Sequence, residues 1–218
     1  LRDSRDNEPY CISKLADGNL WFLDNLRLDL TDTTVLASTT ADNTNASTTT
    51  LNYLKNGGGS TSDQYATAAV SNWTSDYSYS APLVNMDSKD VVPTGAPTGG
   101  NGSNKVGGYY NFCAASAGSY CYGNGTSGGT STGDATEDIC PAGWRMPTGD
   151  PSGEYAALYI AYNADDGIFK NALSTPLSGS FASGSASAQG TYGRFWSSTM
   201  YNGDRMHGLY VNSVTAYP

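Results

Sequence analysis

The pattern from Tyr10 to Leu30 is strand-like. Tyr10, Ile12 and Lys14 alternate ahead of Asp17-Gly18, and an Asp-Gly pair between two strand-like runs predicts a hairpin. Leu20 to Leu23 continues as a buried strand. Leu26, Leu28 and Leu30 then alternate with Arg27 and Asp29, which predicts a further strand with one face in the core. From Thr31 to Thr50 the period disappears into Thr, Ala, Asn and Ser, predicting loop or surface coil. Thr61-Ser62-Asp63-Gln64 has the form of a capping box, and Tyr65, Ala69 and Trp73 fall on one helical face, so a helix is expected from about Asp63 to Trp73. Val106 to Phe112 reads as a buried aromatic strand. Asp150-Pro151 predicts a second helix start, with Asp as N-cap and Pro at the first helical position. Its apolar stripe is Tyr155, Leu158, Tyr159 and Tyr162, and Asn163 to Gly167 closes it. Phe181–Ser187, Arg194–Thr199 and His207–Val214 read as strands.

Two Gly- and Ser-rich stretches, Pro93–Asn104 and Gly123–Gly133, interrupt these elements as surface loops. Two short helices, several short strands and long loops specify an α+β fold with small antiparallel sheets. The expected organisation is one domain over residues 1–218, with loop insertions at about 31–60, 93–105 and 123–137. A chain of 218 residues can bury a real core.

Charge narrows the function classes. Only 14% of residues are charged, and 20 acidic residues against 11 Lys and Arg give a formal net charge of -9. No basic stripe is present to neutralise phosphates, which argues against nucleic acid and anionic membranes as partners. Polarity comes from hydroxyls, amides and 26 glycines, a surface suited to an extracellular protein. No run reaches the roughly 20 apolar residues of a membrane span. The sequence begins at Leu1, and a signal or anchor segment is expected to have been removed or to lie outside it.

Four cysteines, Cys11, Cys113, Cys121 and Cys140, point to two disulfides in an oxidising compartment. Three connectivities are open. The short loop favours Cys113–Cys121, which leaves Cys11–Cys140. A zinc site is disfavoured because no CxxC pair exists and the chain has a single histidine.

Four segments carry a family resemblance: Asp17-Gly18-Asn19-Leu20-Trp21 through Asp24-Asn25-Leu26; Gly108-Tyr109-Tyr110-Asn111; Cys140-Pro141-Ala142-Gly143-Trp144-Arg145-Met146-Pro147-Thr148; and Gly193-Arg194-Phe195-Trp196-Ser197-Ser198-Thr199. In order and spacing they resemble the Fibrobacter succinogenes major paralogous domain, a bacterial secreted module with a C-type-lectin-like fold. The resemblance implies a C-type-lectin-like mixed domain without assigned chemistry. The fold also resembles the variable proteins of diversity-generating retroelements. There the stretch after an FWSS-like motif binds ligand, which here corresponds to Met200, Tyr201, Asn202, Asp204, Arg205, His207 and Tyr210. The chain departs from the family at Leu20, where relatives commonly carry Cys, and by stopping at Pro218 without a closing strand ending in Arg-Cys. That strand is expected either beyond this sequence or from another subunit. Within these segments Trp144 and Trp196 each offer large buried area with one N–H to satisfy, Arg145 is placed to pair with a carboxylate or stack on a ring, and Pro141 and Pro147 bracket a rigid strand.

Candidate chemistry is sparse. His207 alone could serve a Ser-His-Asp triad, and no GxSxG elbow is present. Asn85, Asp87 and Asp90 form the better of two calcium candidates, the other being Asn163, Asp165 and Asp166, and neither follows EF-hand spacing. Asp165 and Asp166 read as a solvated helix end. Glu8, Glu137 and Glu154 have no spacing that pairs them as glycosidase carboxylates. No cofactor is expected. A formylglycine-generating type of enzyme, which shares a related fold, would require a free reactive thiol.

The expected function is therefore non-enzymatic: a structural subunit of a cell-surface filament, pilus or array, with copies of itself as partners. Leu1–Tyr10 is the segment that would complete a neighbour's open edge. The alternative is an adhesin or lectin-like module that binds a host glycan or protein through Met200–Tyr210.

Overall fold

The structure is a computed structural model that describes residues 1–28, 33–49, 51, 80–81, 109–110, 112–117, 133–174, 177–182, 185–188, 190–202 and 205–218. The expected helix at 63–73, the Pro93–Asn104 loop, the calcium candidate Asn85, Asp87 and Asp90, Cys121 and Asp204 lie outside these residues.

The first hairpin forms as its pattern requires. β1 (Ile12–Lys14) pairs antiparallel with β2 (Leu20–Phe22), with Ser13 opposite Trp21. Gly18 takes φ 85° in the connection, a conformation that costs glycine nothing. The Asp17 carboxylate receives both the Asn19 backbone N–H and the Trp21 indole N–H, which ties the turn to its own strand.

The alternation at Leu26, Leu28 and Leu30 does not produce a strand over the described part of that run. Arg27 and Leu28 are consecutive and both buried, at 2% and 1% exposure, which a pleated strand with one solvent face cannot achieve. Thr31–Thr50 also departs from expectation. It contains α1 (Thr33–Ser38) and a segment held against the core by long-range bonds. Thr44 bridges Pro141, Asn45 N–H donates to the Cys140 carbonyl, and Asp138 N–H donates to the Asn45 carbonyl. Pro141 and Pro147 consequently bracket a turn, in which Trp144 N–H donates to the Pro141 carbonyl and Gly143 takes φ 82°, followed by an irregular segment rather than a strand.

β3 (Ser80–Ala81) pairs antiparallel with β4 (Tyr109–Tyr110), and α2 (Phe112–Ala115) follows at once, so the expected aromatic strand turns into a helix at Phe112. β5 (Gly133–Asp134) lies within the span expected as an insertion and is instead an edge strand.

α3 (Glu154–Ala161) starts later than Asp150-Pro151 predicts. Asp150 spends its carboxylate on Ser152, and Gly153 N–H closes a turn on the Asp150 carbonyl. Thr148 caps the helix from outside: its hydroxyl accepts from Glu154 N–H while the Glu154 carboxylate accepts from Thr148 N–H. This is the reciprocal logic of a capping box at a longer spacing. Asn163 and Ala164, at φ 58° and 53°, then turn the chain directly into α4 (Asp166–Leu173). Asp165 is the N-cap of α4 and accepts from Ile168 N–H. The Asp165-Asp166 pair is thus a helix beginning, not the solvated end of the preceding helix.

β6 (Ser180–Ala182) and β7 (Ser185–Ser187) make a second hairpin where one strand was expected. β8 (Tyr192–Asn202), β9 (Arg205–Asn212) and β10 (Ala216–Tyr217) complete a four-stranded sheet in the order β10-β9-β8-β5. All of its pairings are antiparallel, and with the helices they make the chain a mixed α+β protein.

The helices cover one face of this sheet. Leu158 and Phe169, both at 0% exposure, pack with Leu15, Tyr155, Leu173, Leu177, Leu209, Val211 and Ala216. A second cluster joins Leu28, Ala46, Leu51, Ala117 and Ile139, and a third joins Phe112, Ala115, Met146 and Met200. Gly208 lies where β9 crosses β8 most tightly: a Cβ there would sit 2.5 Å from the Phe195 carbonyl oxygen.

The N-terminal segment belongs to this same fold. Arg2 bridges Pro9 antiparallel, Asp3 N–H donates to the Glu8 carbonyl, and Tyr10 N–H donates to the Leu1 carbonyl. The closed loop is pinned by a buried ion pair, Arg5 with Asp3 at 2.6 Å, whose side chains are 0% and 1% exposed. Arg5 also donates to the Ile139 carbonyl, and Ser38 donates to the Arg5 carbonyl. While this loop is closed Leu1–Tyr10 is folded back on itself and on Ile139 and Ser38, and is not a free extended strand.

Candidate functional site

The stretch that resembles a ligand-binding region lies on the β8–β9 ribbon, but the ribbon does not bring its residues together. Pairing runs from Tyr192 opposite Asn212 to Trp196 opposite Gly208, then shifts register before Met200 meets Met206. The shift is a β-bulge, and it is anchored on the neighbouring chain. Ser198 N–H donates to the Pro147 carbonyl, Ala135 N–H to the Ser198 carbonyl, and Gly149 N–H to the Thr199 hydroxyl.

On the far side of the bulge, Met200 is 7% exposed and packs with Phe112, Ala115 and Met146, so it is core and not ligand surface. Tyr201 is 58% exposed and meets the His207 ring edge to face, with centroids 5.3 Å apart. After a second register shift Asn202 pairs with Arg205 at the end of the ribbon. Tyr210 lies on the near side of the bulge and has a separate set of neighbours.

Those neighbours form a constellation that the sequence pattern did not reveal. Directly paired strand residues share a face, so Arg194, Tyr210 and Tyr217 stand side by side across β8, β9 and β10. Tyr192 and Trp196 flank Arg194 at alternate positions on β8 and share that face. Tyr192 and Tyr210 centroids are 5.4 Å apart and tilted 35°; Tyr210 and Tyr217 are 6.1 Å apart and tilted 36°. The Arg194 guanidinium carbon lies 5.3 Å from the Tyr192 centroid and 5.8 Å from that of Tyr210, within cation–π range. Arg194 is exposed and has no carboxylate partner among the described residues. This is the face opposite the helices, since Leu209, Val211 and Ala216 point into the core. Period-2 alternation places Tyr192, Arg194, Trp196 and Tyr210 on one side once register is known, but the register itself was not legible.

The two tryptophans are less enclosed than expected. Trp196 is 39% exposed, gives its indole N–H to the Tyr110 carbonyl, and meets Phe112 edge on at 5.7 Å. Trp144 is half-buried against Phe22, with centroids 4.4 Å apart. Arg145 pairs with Glu154 through two short bonds of 2.7 and 2.6 Å.

That pair gives a pH signature. The Arg145 guanidinium, with Thr148 N–H, holds the Glu154 carboxyl below its ordinary value. A carboxyl lowered in the folded state contributes stability above its unfolded value and loses it as pH falls through the folded one. The Arg145–Glu154 contribution is thus present at neutral pH and disappears below the ordinary carboxylate range. Thermal melts from pH 7 down to 3 should show a shallower acid decline for Glu154→Gln than for the unaltered chain; parallel curves would refute it.

The remaining sequence candidates are taken up structurally. The three glutamates sit apart in their bonding: Glu8 on Arg27, Glu137 on Ser47 N–H, Glu154 on Arg145. Asp166 accepts from the Tyr159 hydroxyl and Ala216 N–H, and so joins α3 to β10. Ser197 donates to the His207 backbone carbonyl and not to its ring. Cys11 and Cys140 are both free thiols, which corrects the expected Cys11–Cys140 disulfide. Cys11 is exposed at the head of β1 with its N–H on Asp24, whereas Cys140 packs against the Phe112–Met146–Met200 cluster. Burial and the Asp138 carboxylate push the Cys140 thiol well above its usual value, the reverse of what a nucleophilic cysteine needs.

No protein-family model matches the chain, and no curated protein or solved structure matches it.

Proposed function

We propose that this chain is a non-enzymatic extracellular surface module of C-type-lectin-like build, and that it acts as an adhesin by binding a ligand on the outer face of its four-stranded sheet. The observation that carries this reading is the row of half-buried Tyr192 and Tyr210 and exposed Tyr217, with the exposed Arg194 guanidinium close to two of its rings. Aromatic side chains give large contact area at small entropic cost, and tyrosine with arginine recurs at binding hot spots. The rigid ribbon behind them holds the side chains in place before a ligand arrives, which lowers the cost of binding.

The test is binding of fluorescently labelled chain to intact host or bacterial cells. An Arg194→Ala, Tyr217→Ala double variant should lose cell binding while its melting temperature stays within a few degrees of the unaltered chain. Full binding by that variant would remove the sheet face from consideration.

A structural subunit of a filament, pilus or array is the second reading. Its support is the β9 edge: β10 covers only Tyr210 and Val211, and no described strand pairs with Arg205–Leu209 on the side away from β8. A second copy could add a strand there. Dispersed particles in negative-stain electron microscopy, at concentrations where adhesion is seen, would speak against it.

A further inference from the structure

We infer that the ligand of this face is an acidic polysaccharide, a chain of sugar rings bearing carboxylates; this rests on the binding reading above. Three observations converge on that chemistry.

The first is the shape of the row. Tyr192, Tyr210 and Tyr217 follow one another at 5.4 and 6.1 Å, each tilted by about a third of a right angle from the last (35° and 36°). That is a stepped, twisted row of rings in contact with one another, following the right-handed twist of the sheet, and not a single deep pocket. An extended polysaccharide presents the complementary object: consecutive pyranose rings, each with an apolar C–H face, related by a small rotation along the chain. The phenol hydroxyls at the rim offer hydrogen bonds to sugar hydroxyls, as Tyr192 already exchanges one with Ser180 at 2.9 Å.

The second is Arg194. In a chain of net charge -9, a cation without a carboxylate partner among the described residues stands on this face, close to two of its rings. At 5.3 and 5.8 Å from the two ring centroids the guanidinium carbon is in cation–π range, and the guanidinium carries N–H groups that can bind a ligand. Those groups match the two oxygens of a carboxylate in a fork. A neutral polysaccharide would leave this capacity unused. The surrounding negative charge would repel a densely anionic partner at long range but not at this contact, where the cation dominates.

The third is exposure. Tyr217 is 60% and Trp196 39% exposed, with Tyr192 and Tyr210 half-buried, so the face is shallow and not a deep pocket. Open sites bind weakly one at a time and gain by repetition, which a polymer with many equivalent residues supplies.

The experiment compares three probes with the full chain by biolayer interferometry: a polygalacturonate, the same polymer with its carboxylates reduced to alcohols, and a polyproline peptide as the other ligand class that lies along aromatic rows. The polygalacturonate should bind, and carboxyl reduction should weaken binding by about 10- to 100-fold, the worth of a charged hydrogen-bonded pair. Arg194→Gln should reduce binding of the acidic polymer to the level of the reduced one and leave the reduced polymer unaffected. Tyr217→Ala should weaken both polymers together. Both substitutions lie on exposed side chains, so folding is preserved, and a melting curve checks it. Equal affinity for the acidic and reduced polymers would overturn the carboxylate and leave the adhesive face standing. Binding of polyproline in preference to either polymer would overturn the carbohydrate. Failure of all three probes would overturn this inference, and the adhesive reading would then stand or fall by the cell-binding result alone.

Discussion

Replacing Phe169 with Ala is expected to destabilise the protein by about 3–5 kcal/mol, the usual cost of removing a large aromatic from a packed core. Phe169 is fully enclosed and stands where α3, α4 and the sheet meet. Tyr159 of α3 and Tyr162 at its C-cap meet its ring edge to face, at 5.3 and 6.2 Å. Truncation would therefore lose transfer free energy, leave a cavity that the helices cannot both move to fill, and remove two aromatic contacts. Urea denaturation followed by circular dichroism measures this directly. Phe169→Leu, which keeps most of the volume, should cost clearly less. If the two substitutions cost the same, the ring is not the keystone of this cluster.

The second large effect is expected at the N-terminal loop. Arg5→Ala leaves the Asp3 carboxylate buried with its strongest partner gone, and breaking such a pair from one side costs about 3–5 kcal/mol. The loss is compounded by the Ile139 carbonyl, which Arg5 also serves. Exchange of both residues for apolar ones of similar size, Asp3→Leu with Arg5→Met, should recover much of this, because no uncompensated charge then remains. The comparison of single and double variants by denaturant titration separates an ion pair that is needed for stability from one that is merely present. If Arg5→Ala alone is nearly silent, the loop is not closed in solution, and the case for Leu1–Tyr10 as a strand for a neighbour reopens.

What could be read from the sequence follows from the range of the interactions that build each element. The β1–β2 hairpin and the centres of β8 and β9 rest on period-2 patterns and on one Asp-Gly turn, all local, and they were legible. α3 was legible in kind but not in its first residue, since Asp150-Pro151 offers a start signal that Thr148 and Glu154 override from six residues apart. α4 was hidden by brevity. The turn at Asn163 and Ala164 is so short that Asp165 looks like the tail of one helix when it is the head of the next.

The segment 39–46 was illegible for a different reason. Its burial depends on polar side chains finding distant partners, and no periodicity announces that. Asp138 is the clearest case: 3% exposed, it accepts from Cys140 N–H, Met146 N–H and the Asn45 amide, and so welds three stretches of chain. The candidate site divides along the same line. The right strands could be named, but the anchored bulge decides which residues face together, and a bulge depends on register. Met200 therefore reads from the sequence as ligand surface, whereas Arg194, inside a motif that reads as scaffold, and Tyr192, just ahead of it, carry no signal of their own.

The bulge has a consequence for how this surface can change. Because Ser198, Thr199 and Gly149 tie the ribbon down at its middle, substitutions at the Tyr201 end are mechanically insulated from the tyrosine row at the other. The two ends can diversify independently, each free to acquire new preferences without disturbing the alignment of the other, as separate fingers do on one hand.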